Sequence, residues 1–168
     1  MSSSGSLDGG RSSAPSFRWQ YYDPALLRLF PFSYLVHLAE EWLTAAPVAL
    51  WSVRADPPLP MTLLAANAVG LVAMTLGVWI ASRAPRYRWI APAVATAVLL
   101  NTVGHAAATV MLREYSAGLI SAVVLWVPIG VLTWLRCLLQ ASARVHAAGL
   151  AVGMLIEGVV VFTLSTNR

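Results

Sequence analysis

Four long apolar runs constrain this chain more than any other feature of its sequence. They cover residues 61–82, 89–112, 117–137 and 145–164. Each approaches or exceeds the roughly 20 residues that a helix needs to cross a bilayer. Only 11% of residues are charged, against about 25% in soluble domains, and the mean hydropathy is +0.70. We therefore expect an all-α fold, a polytopic transmembrane helical bundle.

The composition also limits the function classes. The basic residues are arginines scattered singly among apolar runs, so nucleic-acid binding is disfavoured. A single cysteine, Cys137, excludes an internal disulfide and disfavours a thiolate metal cage. Residues 1–20 are rich in Ser and Gly and are predicted to be a disordered cytoplasmic tail. Residues 21–168 are predicted to form one transmembrane domain.

A fifth apolar segment, residues 25–51, contains charged residues, so its length alone does not predict a span. Basic residues accumulate in cytoplasmic loops, and the eleven arginines therefore discriminate between topologies. If the segment spans, eight arginines fall on one side and three on the other; if it does not, the split is five against six. Only five spans give a bias. They predict about five helices in the plasma or inner membrane, with the N-terminus cytoplasmic.

Several polar side chains fall inside these apolar segments, where an ionised group costs about 2.5–3.5 kcal/mol. They are His37, Glu40, Glu41, Asn101, His105 and Glu157. Spacing of i,i+4 places His37 with Glu41, and Asn101 with His105, on one helix face. In the five-span arrangement, segments one, three and five run in the same direction and bring these groups to similar depths, about 18–24 Å from the helix starts. The pattern indicates a functional cavity; the competing interpretation is a polar network that joins helices, or a first helix lying at the interface.

Other residues receive narrower predictions. The stripe of Gly149, Gly153 and Glu157 lets a neighbouring helix approach closely and turns the carboxyl group into the bundle. Glu157 could equally be a protonated packing residue. Trp42 and Trp126 are the two tryptophans that could line a pocket, and Asn101 is expected to orient a neighbour. His146 is expected to lie at the membrane interface.

These motifs resemble those of a known family. His37-Leu-Ala-Glu-Glu-Trp42 resembles the motif for which the HXXEE family of small membrane proteins is named, and Asn101-Thr-Val-Gly-His105 resembles its second Asn/His element. Tyr115-Ser-Ala-Gly118 looks like a third element, in which Ala117 replaces a more usual proline, so that a looser turn is expected. The resemblance covers most of residues 33–135. It supports a site without naming a reaction, because the family has no general assigned activity.

The first functional hypothesis is a metalloenzyme. Imidazole and carboxylate ligands suit divalent Zn, Fe or Mn. His37, Glu41 and His105 could supply a two-histidine, one-carboxylate set, with Glu40 or Glu157 as a further ligand or general base. The reaction would be hydrolysis or oxidation of a lipophilic substrate, such as a lipid, an isoprenoid or a polyketide-like molecule.

Two alternatives stay open. In the first, the same residues act as a metal-independent acid–base set that isomerises or cyclises a sterol- or terpenoid-like substrate, with an aromatic side chain stabilising cationic intermediates. In the second, they form a proton relay in a transporter, or belong to a non-catalytic membrane subunit. Expected partners are membrane lipids and a lipophilic small molecule, and a homo-oligomer stays open.

Overall fold

The computed structural model describes residues 23–51 and 61–166, with side chains over 23–44 and 65–162. This part of the chain forms five long helices. They are α1 (Pro24–Trp51), α2 (Met61–Arg83), α3 (Ile90–Leu112), α4 (Leu119–Gln140) and α5 (Ala143–Thr166). A 3₁₀ turn at Pro85–Tyr87 joins α2 to α3, and α4 contains a π-helical turn at Ala122–Trp126. The helix bounds match the predicted segments to within three residues, so the all-α prediction is confirmed. The predicted tail, residues 1–20, lies outside the described residues.

Four of these helices are long and apolar enough to cross a membrane. The qualifying stretches are Ala65–Arg83, Pro85–Leu112, Leu119–Gln140 and Ala143–Phe162. Their outward faces carry exposed Leu, Val, Met and Phe side chains, as expected where the solvent is lipid. The chain is therefore a polytopic membrane protein. Helix α1, which carries two adjacent glutamates, is not among the qualifying helices found in the described residues.

Helix α1 runs antiparallel to α4 along most of its length. At one end Arg136 Nη1 lies 3.1 Å from Asp23 Oδ2. At the other end the Ile120 amide donates to Glu40 Oε1 at 3.0 Å. The hydrogen bond from Arg136 holds the pKa of Asp23 below its ordinary value, so the carboxylate is ionised at neutral pH. Seventeen helical residues separate the two ends on α1, about 26 Å, so α1 lies beside α4 over most of the length of α4.

Helices α3 and α5 pack in parallel with their backbones in close contact. A Cβ atom on Gly149 would lie 2.5 Å from Pro92 Cγ, and one on Gly153 would lie 2.6 Å from the Ala93 carbonyl oxygen. The residue numbers rise together on both helices, which establishes the parallel direction. The small-residue stripe predicted for this segment is therefore confirmed as a helix-packing surface.

A small apolar core lies where α1, α3 and α4 meet. Its fully buried side chains include Phe30 of α1, Ala95 of α3, and Ala122 and Trp126 of α4. Two of these four residues are alanines, so the three helices approach closely around the large side chains of Phe30 and Trp126. Trp126 of this core contacts two polar residues of α1, Ser33 and His37.

The contact between α3 and α5 predicts a position-specific effect of adding one methyl group. Gly153→Ala should lower the stability of the protein by about 1–3 kcal/mol, the usual cost of overpacking, because its Cβ meets Thr96 Cβ at 2.5 Å. Gly158→Ala is the control, since a Cβ there has no neighbour within 4 Å and should be neutral or slightly stabilising. Thermal unfolding in detergent measures both. Equal stability of the two variants would contradict the packing described.

Candidate functional site

Three of the predicted site residues meet beneath the turn between α3 and α4. His37 Nε2 lies 3.3 Å from Glu41 Oε1, and His105 Nε2 lies 3.7 Å from the same oxygen. The two imidazole rings are 5.1 Å apart and nearly perpendicular. The His37 side chain is 4% exposed, His105 15% and Glu41 27%. The site is thus walled by protein around His37 and open at the carboxylate.

Each histidine is held through its other ring nitrogen by a serine from α4 or the turn before it. His37 Nδ1 lies 3.0 Å from Ser121 Oγ, and His105 Nδ1 lies 2.9 Å from Ser116 Oγ. Both rings therefore present Nε2 to Glu41. The orientation of each ring is fixed by a hydrogen bond on the side away from the carboxylate.

The hydroxyl of Ser121 has two partners, His37 Nδ1 at 3.0 Å and the Gly118 carbonyl oxygen at 3.1 Å. A serine hydroxyl has one hydrogen. If that hydrogen is donated to the carbonyl oxygen, His37 Nδ1 donates to Ser121 Oγ, and Nε2 of the neutral ring carries a lone pair that faces a carboxylate oxygen at 3.3 Å. In that arrangement the two acceptors repel each other unless a cation, either a proton or a metal ion, lies between them.

The indole of Trp126 covers one face of His37. The ring centroids are 3.9 Å apart with the planes tilted by 35°, and the indole is 2% exposed. Its Nε1 donates to Ser33 Oγ at 3.2 Å, which fixes the ring. Trp126 ends the π-helical turn of α4, a local distortion that is frequent at functional sites. The structure thus brings this predicted pocket residue to the site.

The backbone of Gly118, at the start of α4, lies directly beside the His37 ring. Its φ is +93°, a left-handed conformation that glycine adopts without strain. A Cβ there would also lie 2.5 Å from His37 Cε1 and 3.1 Å from Glu41 Cγ. Backbone conformation and space therefore both require glycine at this position.

Glu40 is bound to the N-terminus of α4 and not to the two histidines. Its Oε1 accepts from the Ile120 amide at 3.0 Å, and its Oε2 accepts from the Ser121 amide at 2.6 Å. The Tyr115 hydroxyl donates to the same carboxylate. Desolvation and this hydrogen bond raise the pKa of Tyr115 above its ordinary value, so the hydroxyl remains a donor. The carboxyl groups of the two adjacent glutamates thus have different neighbours.

Asn101 and Glu157 form a second polar pair between α3 and α5. Asn101 Nδ2 donates to Glu157 Oε1 at 3.2 Å. Asn101 Oδ1 is buried and has no hydrogen-bond partner among the described residues. Glu157 is half-buried, as its predicted inward orientation requires. It hydrogen-bonds to this asparagine and is not among the three residues, His37, Glu41 and His105, whose ligand atoms lie within 4.8 Å of one another.

The structure does not bring the remaining aromatic candidate to the site. Trp42 is 45% exposed, and none of the contacts of His37, Glu41 or His105 given above involves it. His146, predicted to lie at the membrane interface, is half-buried and stacks on Trp134 with ring centroids 5.9 Å apart.

Sequence reasoning missed the residues that orient the two histidines. Ser116 lies inside the Tyr115–Gly118 element, for which the sequence predicts a turn but no contact with a histidine. Ser121 carried no signal, because a serine in an apolar helix ordinarily bonds its own backbone. Its role depends on the antiparallel packing of α1 against α4, which the sequence does not display.

A family model described as a protein of unknown function with an HXXEE motif matches residues 28–133. That range includes both histidines of the cluster, the two adjacent glutamates and the turn that begins α4. No curated protein and no solved structure matches the chain.

The position of Gly118 predicts a strong effect of its substitution. Gly118→Ala should lower stability by about 1–3 kcal/mol through backbone strain alone, and should displace the His37 ring because the new Cβ would collide with Cε1. Gly104→Ala in α3 is the control, since a Cβ there has no neighbour within 4 Å. Thermal unfolding and the imidazole ¹⁵N resonances of the protein report the two effects. An unchanged His37 resonance in Gly118→Ala would contradict the contact.

Proposed function

The chain belongs to the HXXEE family of proteins of unknown function, and on that premise we propose that it is an integral membrane metalloenzyme acting on a lipophilic substrate. His37, Glu41 and His105 hold a divalent Zn, Fe or Mn ion. One observation carries the proposal: two histidines from different helices direct Nε2 at one carboxylate oxygen, while each Nδ1 is held by a serine.

The distances between the ligand atoms fit a metal ion. Atoms bound at about 2.0–2.2 Å to a tetrahedral ion are about 3.3–3.6 Å apart. The distances from Glu41 Oε1 to His37 Nε2 and to His105 Nε2 are 3.3 and 3.7 Å. One ligand atom from each residue lies within 4.8 Å of the other two. Small side-chain rotations are therefore sufficient to bind an ion.

The hydrogen bonds around the histidines also favour a metal. Histidine ligands commonly have their second ring nitrogen bonded to a neighbouring group, which fixes the tautomer and the ring orientation. Ser121 does this for His37, and Ser116 does it for His105. An ion between His37 Nε2 and the Glu41 carboxylate would form a coordinate bond with each.

Three protein ligands leave a coordination position open, as catalytic sites require. A bound divalent ion would supply a Lewis acid there, suited to activating water for hydrolysis or to oxidation chemistry. The three ligands would fix its position, while Trp126 and the apolar core exclude water behind His37. The apolar outer faces of the bundle favour a substrate that arrives from the membrane, such as a lipid, an isoprenoid or a polyketide-like molecule.

We also propose that α1 is the fifth span and that the N-terminus is cytoplasmic, in the plasma or inner membrane. The antiparallel packing of α1 against α4, itself apolar enough to span, supports the fifth span. The eight-to-three division of arginines supports the orientation. The metal site would then lie towards the non-cytoplasmic ends of α1 and α3.

The proposed ligand set predicts loss of metal from each of three variants. His37→Ala, Glu41→Ala and His105→Ala should each reduce bound Zn²⁺ from one ion per chain to a small fraction, while the protein stays inserted and monodisperse. His146→Ala is the matched control, because this histidine stacks on Trp134 away from the cluster. Metal analysis of the purified proteins measures the effect. Full occupancy in any of the three ligand variants would remove that residue from the site.

The proposed topology predicts the location of two reporters. A periplasm-active reporter fused after Arg168 and a cytoplasm-active reporter near Arg86 should both give signal in a bacterial host. If a reporter after Arg168 is active only in the cytoplasm, the fifth span or the orientation is wrong.

The alternative is a metal-independent acid–base isomerase or cyclase of a sterol- or terpenoid-like substrate. The indole face against His37 favours it, because it would stabilise an imidazolium. A proton, instead of a metal ion, would then lie between His37 and Glu41. Glu157, bonded to Asn101, would be the neutral acid that protonates the substrate.

Chelation and one substitution separate the two functions. The metalloenzyme should lose turnover with a chelator and regain it when the ion is returned, whereas the acid–base enzyme should be unaffected. Glu157→Gln should abolish turnover in the acid–base enzyme without weakening substrate binding, since the amide has the same shape but is not an acid. In the metalloenzyme with three ligands, the same variant should keep full metal occupancy.

A further inference from the structure

We infer that Glu40 is a positioning residue: it caps the N-terminus of α4, and through Ser121 it holds the His37 ring in place. The two adjacent glutamates of the motif then have different roles. Glu41 faces the histidines, and Glu40 holds the start of α4, the helix whose Ser121 orients His37. The consequence for metal affinity rests on the proposed function, but the cap itself does not.

Helix α4 begins in a way that leaves it without a cap of its own. The first amide groups of any helix have no partner within the helix, and Ser, Thr, Asp or Asn usually supplies one from the N-cap position. In α4 the N-cap is Gly118, which has no side chain and makes no capping bond. A larger residue is excluded there because its Cβ would collide with His37 Cε1. The close packing of His37 therefore removes the ordinary means of capping this helix.

Glu40 supplies the missing cap from the neighbouring helix. Its two carboxylate oxygens accept from the amides of Ile120 and Ser121, the second and third residues of α4. The Tyr115 hydroxyl binds the same carboxylate. A negative charge at this end also interacts favourably with the helix dipole. These contacts occupy both oxygens of Glu40, which makes it a poor candidate for a ligand.

The spacing of the motif explains how one helix performs both tasks. Glu40 is i+3 and Glu41 is i+4 from His37, so both share the side of α1 that carries the histidine. The i+4 carboxylate lies beside His37 Nε2. The i+3 carboxylate lies at the first turn of α4, where it binds the amides two and three residues after Gly118.

Ser121 connects the cap to the site. Its backbone amide donates to Glu40 at 2.6 Å, while its hydroxyl is hydrogen-bonded to His37 Nδ1 at 3.0 Å. If the cap is lost, this turn of α4 loses the bonds that hold it against α1. His37 then loses a fixed partner for Nδ1, and its tautomer is no longer determined.

The test compares Glu40→Gln with Glu41→Gln by three measurements: thermal unfolding without metal, the imidazole ¹⁵N resonances of His37 without metal, and titration with Zn²⁺. In wild type we expect one predominant tautomer of His37. Glu40→Gln should lower the unfolding temperature, shift His37 towards a mixture of tautomers, and still bind one ion per chain with affinity reduced about 10–100-fold, as for other residues that orient ligands. Glu41→Gln should lose stoichiometric Zn²⁺ binding and unfold at a higher temperature than Glu40→Gln.

A second variant keeps the test decisive if Glu40→Gln does not fold. Tyr115→Phe removes one donor to the Glu40 carboxylate and should shift the unfolding temperature and the His37 resonance in the same directions by a smaller amount. Loss of Zn²⁺ stoichiometry in Glu40→Gln with wild-type unfolding and resonances would overturn the inference and make Glu40 a ligand. A wild-type unfolding temperature and wild-type His37 resonances in Glu40→Gln would also overturn it. If only Tyr115→Phe folds, the same result in that variant would overturn it. If wild type binds no Zn²⁺, the proposed function fails, while the two metal-free measurements still decide the cap.

Discussion

The approach of His37 to the backbone of Gly118 is the contact on which the rest of the site depends. It brings α1 against the start of α4 so closely that no Cβ fits between them. At that distance the imidazole reaches Ser121 on one side and Glu41 on the other. The indole of Trp126 then closes over the exposed ring face. This one close contact thus fixes where the imidazole ring of His37 lies, how it is rotated and which groups surround it.

Burial among apolar helices explains why so many polar partners surround this contact. Apolar surroundings cannot hydrogen-bond, so buried polar atoms are stabilised by partners within the protein. Such partners are found in two places, while Asn101 Oδ1 has none among the described residues. One is the cluster at the start of α4, in which the carboxyl and ring groups of α1 and α3 find serine hydroxyls, backbone amides and each other. The other is the hydrogen-bonded pair of Asn101 and Glu157. Its carboxyl group lies inside the bundle, one helical turn beyond the last small residue of the α5 packing stripe.

Much of the fold could be predicted from the sequence, because membrane helices are recognisable from length and hydropathy alone. The meeting of His37, Glu41 and His105 could also be predicted from i,i+4 spacing and a common helix direction. The same argument predicted Glu157 at this level, and the structure pairs it with Asn101. The separate contacts of Glu40 could not, because spacing puts i+3 and i+4 residues on the same helix face without showing which neighbour each one meets. Ser116 and Ser121 were missed for a similar reason: their partners lie on other helices. Trp42 was predicted for its sequence position beside Glu41, but consecutive helical residues point about 100° apart.

X-ray absorption spectroscopy of the wild-type protein loaded with one equivalent of Zn²⁺ tests the central claim most directly, because it counts ligands without assuming a substrate. A site built from two histidines and a carboxylate should give a first shell of low-atomic-number ligands at about 2.0–2.1 Å with multiple scattering from two imidazoles. The same pattern should persist in detergents with different headgroups. A shell of oxygen atoms alone, or one containing sulfur from Cys137, would contradict a site built from His37, Glu41 and His105.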